Sequence, residues 1–467
     1  MFDTQLLDRG LVEATIAAGL SKGADFAEVF VEDRSNVSAV LDDGRVEELT
    51  SGRDRGAGIR VIAGDTTGYA HTADLSPEGL RAAAVAAAAV AQERSSGVKA
   101  VAMKPSAPGA TVVATYPEAV SKADKVALLR SADGAARAVS NSITQVSARY
   151  SDGRRRILVA NSEGVWASDD QVRTLFSVSA VASGDTGMQT GRESIGYTMG
   201  FELFDDHDVA ELAERAANRA VTKLRARPAP SGELPVVIKR GGGGVLFHEA
   251  CGHGLEADLV RKGASVFKDR IGEIVANPAI TLVDDATMAR EWGHFTYDDE
   301  GHPGARNTLI ENGVLTDYMW DHIRARAEGR APSGNGRRQS YQHLPMVRMT
   351  NTYVLNGVED PDEIVAQTPY GVYVAQLGGG QVNTATGDFV FGMLEAYLIE
   401  DGKITEPLRE GNLIGNGPQV LMDIDALGND FEMGHPGTCG KDGQGVPVGD
   451  GQPTLRVSRL TVGGTAA

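Results

Sequence analysis

The sequence predicts an α+β protein, with a two-layer α+β N-terminal domain followed by a β-rich C-terminal domain that carries a metal-binding helix. Three observations predict it. Over residues 1–226, helical and period-two patterning alternate twice in the same order. The stretch RPAPSGELP, Arg227 to Pro235, then interrupts with prolines, as a domain boundary does. Beyond it, in 236–467, glycine turns separate many short strand-like runs around one strong early helix.

Taken in order, Leu6 to Ser21 spaces its apolar residues for a helix, and DFAEVFVEDR alternates as a half-buried strand does. Asp43-Gly44 marks a hairpin between Ser38 to Leu41 and Arg45 to Leu49. GIRVIAGDTTGYAHT predicts a strand pair, and Ser76-Pro77-Glu78 opens an alanine-rich helix to Glu93. After AMKPSAPGA the order repeats: a helix from Pro117 to Val139, strands in ITQVSARYSD and RRILVANSEGVWAS, LFSVSAVASGDTG echoing VIAGDTTG, and a helix from Asp208 to Arg225. Two related α-β-β-β-α halves are therefore expected. In the C-terminal part, LPVVIKR, ITLVDD, GVLTDYMW, MTNTYVLN, GVYVAQL, DFVFGMLEAYLIEDG and TLRVSRLTVGG predict strands.

Composition narrows the function. A formal net charge of -18 argues against a phosphate backbone as partner, so no nucleic acid is expected. The most apolar run, Ala82 to Ala91, falls well short of the ~20 residues a membrane span needs, and the N-terminus does not read as a signal peptide. With only Cys251 and Cys439 there is no disulfide framework, which suits a cytoplasmic location.

The chemistry concentrates in VLFHEACGHGLEAD, Val245 to Asp258. His248, Glu249 and His253 form H-E-x-x-x-H, one residue longer than the usual helical zinc-protease spacing. Residues four apart on an α-helix are offset by roughly 40°, whereas five apart gives roughly 140°, so the two imidazoles share a site only if the helix deforms. A single π turn brings residues five apart nearly into line. Gly252 and Gly254 flank His253, and a distortion at Gly252 is predicted. A catalytic zinc needs a third protein ligand and a carboxylate able to take a proton from water. Glu249 fits the second role. For the third ligand both cysteines are candidates: Cys251 follows His248 by three residues, and Cys439 sits in a glycine-rich loop, PGTCGKDGQGVPVGDGQPT, which the spacing favours.

Other segments offer weaker signals. Gly378, Gly379 and Gly380, in GGGQV, offer open backbone to an extended peptide or form a strand-to-strand turn. Tyr341, His343 and Arg348 are candidates for orienting substrate or stabilising an oxyanion, or else for structural hydrogen bonds. Asp298-Asp299-Glu300 reads as a solvated acidic turn. Gly241 to Gly244 lacks the Lys-Ser or Lys-Thr of a phosphate loop, and close packing against the metal helix is the expected use.

Together HEACGHGLEAD, KGASVF, DDEGHPG, NGRRQSYQHLPMVRMTNTYV, GGGQVN, FVFGMLEAYLIEDGKIT, TCGKDGQ and GQPTLRVSRLTVGG resemble the TldD/PmbA family, and more specifically its TldD branch, densely from about residue 235 onward. The resemblance implies a cytoplasmic zinc-dependent peptidase with one Zn2+ per catalytic chain, held by His248, His253 and Cys439, with Glu249 as base. It leaves Cys251 to packing. It also implies peptide substrates, unfolded or extended, such as leader segments and antitoxin-like proteins, and pairing with a TldE/PmbA-type subunit or as a homodimer. The competing expectation is a regulatory protein of the gyrase-modulator type whose zinc is structural and closed by four protein ligands.

Overall fold

The computed structural model describes residues 6–91 and 99–463. Asp8 caps the first helix by accepting from the Leu11 N–H, so the helix spans Arg9–Leu20. Ser76 and Ser121 cap the helices Pro77–Val90 and Lys122–Val139 in the same way. The second start lies later than Pro117, which opens only a single 3-10 turn, Pro117–Ala119. Glu93, the expected end of the alanine-rich helix, lies outside the described residues.

The N-terminal strands are longer than their sequence patterns. Phe26–Asp42, Arg45–Ala63, Ile143–Asn161 and Val165–Gly184 each run unbroken through polar centres such as Arg34-Ser35-Asn36. Pairing explains this, since Phe26–Asp42 is laddered on both edges, against Arg45–Ala63 and Ile143–Asn161. The sheet order is Thr66–Thr72, Arg45–Ala63, Phe26–Asp42, Ile143–Asn161, Val165–Gly184, with Gly187–Tyr197 beyond. Val12, Ile16, Leu80 and Ala84 from the first two long helices fill one core, whereas Leu129, Ala132, Leu212 and Ala216 from Lys122–Val139 and Val209–Leu224 fill another. Each half therefore has the order helix, three strands, helix. The halves share a packing detail. A Cβ on Gly68 would lie 2.0 Å from the Ala87 carbonyl oxygen, and one on Gly191 would lie 1.9 Å from that of Ala216. In both, a glycine of the third strand lets the closing helix approach the sheet.

In the C-terminal part, Tyr370–Val382, Gly232–Ile238, Leu455–Gly463, Asn412–Asn416 and Asp388–Glu400 pair in that order, and the last also pairs with the first, closing a small barrel. A second sheet contains Arg306–Glu311, Leu282–Asp285, Asn351–Val354 and Gln444–Gln452. Of GVLTDYMW only Val314–Leu315 is strand. Leu246, Phe247 and Cys251 of the predicted metal helix share one core with Val372, Val374, Phe389 and Phe391 of the barrel. The chain is thus α+β, with its metal-motif helix seated on a β-rich unit.

Asp298, Asp299 and Glu300 correct the expectation of a solvated turn, being 1%, 3% and 0% exposed. Asp298 accepts from the backbone N–H groups of Glu300, His302 and Gly336, while the other two meet cations from the N-terminal sheet: Arg155 bridges Glu32 at 2.5 Å and Asp299 at 2.8 Å, and Arg60 bridges Glu28 and Glu300, both at 2.7 Å. Arg338 reaches Glu28 at 2.6 Å. Arg60→Met leaves the buried Glu300 without its cation and Glu28 with Arg338 alone, and is expected to cost about 3–5 kcal/mol of unfolding free energy. Denaturant unfolding measures it, and a loss below about 1 kcal/mol, a surface-pair value, would show that this network does not hold the two parts together.

Candidate metal centre

The helix at the motif is composite. Gly244–Phe247 is α-helical, His248–Gly252 is a π turn, His253–Leu255 is 3-10 and Ala257–Arg261 is α-helical again. The His253 N–H donates to the His248 carbonyl, five residues back, and this wide turn brings the two imidazoles together with ring centroids 5.0 Å apart. Gly252 serves by size and not by conformational freedom. Its φ is -52°, ordinary for a helix, but a Cβ there would lie 2.3 Å from the Met349 sulfur. Gly244 acts similarly, since a Cβ there would lie 2.3 Å from Asp450 Oδ1.

Cys439 arrives on a strand, not a loop. Gly437–Lys441 pairs antiparallel with Gln444–Gln452, with Cys439 opposite Val446. Asp442 and Gly443 both have positive φ, 48° and 75°, which makes the two-residue turn of a tight hairpin. The fold brings together His248, His253 and Cys439, whose ligand atoms all lie within 4.8 Å of one another. Cys439 Sγ is 3.4 Å from His253 Nε2. All three are buried. Burial opposes charge on Cys439, yet the neighbouring His248 and His253 draw its thiol down to about 4. The donor set is therefore two imidazoles and a thiolate, which suits zinc and other borderline-soft divalent ions. Cys251 does not join it, for its thiol donates to the Phe247 carbonyl at 3.2 Å and burial lifts it to about 12.

Glu249 is half-buried beside the triad, and burial raises its pKa. A cavity of about 650 Å³ opens over His248, Glu249, His253 and Cys439, bounded by Gly380, Gln381, Val382 and Asp450. Of the three glycines singled out in the sequence, Gly380 lines it. All three continue the strand Tyr370–Val382, and the turn comes only after Val382. Tyr341 and His343 do not line this cavity. Tyr341 packs with Phe30, Ile157 and Val159 and bonds Glu32 and Asp54, while His343 bonds Ser340 at 2.8 Å. Arg348, fully buried, donates to the Cys439 carbonyl and so holds the ligand strand from behind.

Three residues near the triad escaped the sequence reading. Glu256 Oε2 accepts at 3.0 Å from His253 Nδ1 and at 2.9 Å from Lys441 Nζ. Such a carboxylate fixes the tautomer that leaves Nε2 free to ligate. Its signal was available, three residues after His253 on a helical segment. Lys441 also binds Asp258 at 2.7 Å, and this ties the hairpin to the helix. Asp450, lifted by burial to about 6, carried no spacing signal.

No helix among the described residues is long and apolar enough to cross a membrane. The family profiles for PmbA/TldA metallopeptidase domain 1, central domain and C-terminal domain match residues 27–91, 115–224 and 231–464. The metalloprotease TldD homolog of Haemophilus influenzae is 40% identical over 456 residues, covering 95% of this chain and 94% of its own. A metalloprotease of Methanothermobacter thermautotrophicus is 35% identical, covering 97% and 98%. Among solved structures, TldE of Thermococcus kodakarensis aligns with a TM-score of 0.77 at 21% identity, covering 97% of this chain and all of the other (100%). A proposed modulator of a DNA gyrase from Thermotoga maritima aligns at 0.80 and 22%, covering 97% and 99%. The protein described as a gyrase modulator thus shares its fold with this chain. With three family profiles matching in order along it, relatives of this identity across nearly its whole length, and side chains of the motif helix and the hairpin converging where a metal could be held, the chain belongs to the PmbA/TldD family and is a metallopeptidase.

Proposed function

We propose that the chain hydrolyses unfolded or extended peptides with one zinc held by His248, His253 and Cys439, and with Glu249 as general base. The observation that carries this is the meeting of three ligand atoms within 4.8 Å beneath a cavity that also admits a carboxylate. Zinc is favoured by the mixed nitrogen and sulfur donors, and the Saccharolobus solfataricus relative, 32% identical over 325 residues, is named a zinc metalloprotease. When bound, zinc supplies Lewis acidity toward a scissile carbonyl and toward water. Glu249 takes the proton from that water and returns it to the leaving amine. Its raised pKa suits both halves of the transfer. Glu256 holds His253 in the ligating tautomer, and Arg348 and Lys441 hold the Cys439 strand.

The substrate is held in extended form. Tyr370–Val382 pairs with Gly232–Ile238 only through Val372 to Val374, so among the described residues Gly378 to Val382 has no ladder partner on that edge. A peptide adds there as a further strand, with its backbone across the cavity. Leader segments of modified peptides and antitoxin-like chains meet this need because they lack stable structure. The likeness to TldE supports pairing with a subunit of that type, with a homodimer as the other arrangement. Reducing cytoplasm suits a free thiolate ligand. The structural-zinc reading needs a fourth protein ligand, and the nearest sequence candidate, Cys251, points into the core.

Incubating the purified chain, alone and with any co-purifying subunit, with a library of unstructured peptides tests the proposal. Cleavage that stops on chelation and returns with added zinc is expected. Cleavage indifferent to chelators, by protein free of transition metal, would overturn it.

A further inference from the structure

A second cavity, of about 490 Å³, borders the hairpin that carries Cys439, and Thr438 lines both this cavity and the one over the metal triad. Seven arginines and two aspartates line it. In a chain of net charge -18 this is a local inversion of sign. Part of it is cancelled within the protein. Arg155 pairs with Glu32 and Asp299, Arg338 with Glu28, and Arg154 with Asp170, while Asp152 is already held by Lys125 at 2.6 Å.

Four cations remain. Among the described residues, Arg34, Arg149, Arg173 and Arg337 have no carboxylate within ion-pair distance. Arg173 donates to the carbonyls of Trp292 and His294, at 2.9 and 2.8 Å, and to Gln171 at 3.0 Å. Arg337 donates to the carbonyls of Met349 and Pro447, at 2.5 and 2.6 Å. These contacts fix where the guanidinium groups sit without cancelling their charge. Burial, with nearby arginines adding to it, lowers Arg173 to about 9 and Arg337 to about 10, as expected of cations gathered without enough counter-charge. Walled, one-sign clefts focus potential and concentrate counter-ions. Guanidinium forks match carboxylates in shape. Pro447, held by Arg337, is the strand partner of Thr438, so the cations stand directly against the strand bearing Cys439.

We propose that this arginine cavity is an anion subsite that holds a carboxylate of the peptide substrate and so selects which segment crosses the metal centre. The proposal rests on the peptidase reading above. A terminal α-carboxylate and an Asp or Glu side chain share the required chemistry, and the experiment separates them. In a Glu249→Gln background, which prevents turnover, fluorescence anisotropy measures the affinity of three labelled peptides of one length. One has no acid and an amidated end, one has no acid and a free carboxylate end, and one has an internal glutamate and an amidated end. One or both charged peptides are expected to bind on the order of tenfold more tightly than the neutral one. The charged peptide that gains identifies the source.

The preference should fall to near unity in the Arg34→Gln/Arg149→Gln pair, whose side chains make no hydrogen bond to the described residues, and also in Arg173→Gln where thermal unfolding shows it folded. A preference unchanged by both substitutions would overturn the subsite. Equal binding of all three peptides would overturn it too, while leaving the peptidase reading intact. Failure of a folded protein to bind any of them would overturn both.

Discussion

Glu249→Gln is expected to abolish peptide cleavage while leaving fold and metal content unchanged. The amide keeps the shape of the carboxylate and loses the ability to accept a proton, so the variant isolates the base from everything else at the centre. Positioned general bases contribute about 10²–10⁴-fold, and kcat should fall by that factor. Metal content should hold, because Glu249 is not one of the three residues whose ligand atoms converge. Stability should hold as well, since burial already disfavours the charged form of this side chain. Initial rates, metal analysis and thermal unfolding on one preparation check all three. A variant cleaving at the wild-type rate would remove Glu249 from the mechanism.

The part of the centre that was legible in the sequence is local. His248, Glu249 and His253 lie within one helical segment, and their five-residue spacing requires the wide turn that His253 N–H makes with the His248 carbonyl. The twofold helix, strands, helix order of the N-terminal part was legible for the same reason: apolar periodicity is a property of neighbours. What was missed depends on distant partners. Asp298 to Glu300 read as solvent-facing because the sequence does not show that Arg155 and Arg60 of another sheet will meet Asp299 and Glu300. Cys439 was recognisable by residue type, but the hairpin presenting it was hidden by glycines that normally mark loops. The role of Glu256 needed both its spacing from His253, which was visible, and the approach of Lys441, which was not. Tyr341 is a polar aromatic in a motif-rich stretch, yet its ring lies on Gly56, where a Cβ would come within 2.3 Å, so it serves contact between the two parts of the chain.

The metal itself supplies the other large effect. Cys439→Ser and His253→Ala should each leave a chain that folds but does not retain zinc through purification. Each substitution removes one of the three donors that converge among the described residues, and a serine hydroxyl is a far poorer ligand than a thiolate already poised at about 4. Glu256→Gln provides the graded comparison. It keeps every ligand but weakens the hold on the His253 ring, and outer partners of this kind cost roughly 10–100-fold in metal affinity. Cys251→Ala, at a sulfur bonded to the Phe247 carbonyl within the core, should keep full zinc occupancy even where it lowers the unfolding temperature. Competition with a chromophoric chelator orders the set, with wild type and Cys251→Ala tightest, Glu256→Gln between, and Cys439→Ser and His253→Ala weakest. If Cys439→Ser retained zinc as tightly as wild type while Cys251→Ala lost it, the third ligand would be the helix thiol, and the hairpin, with the lysine and arginine that hold it, would have no part in the metal site.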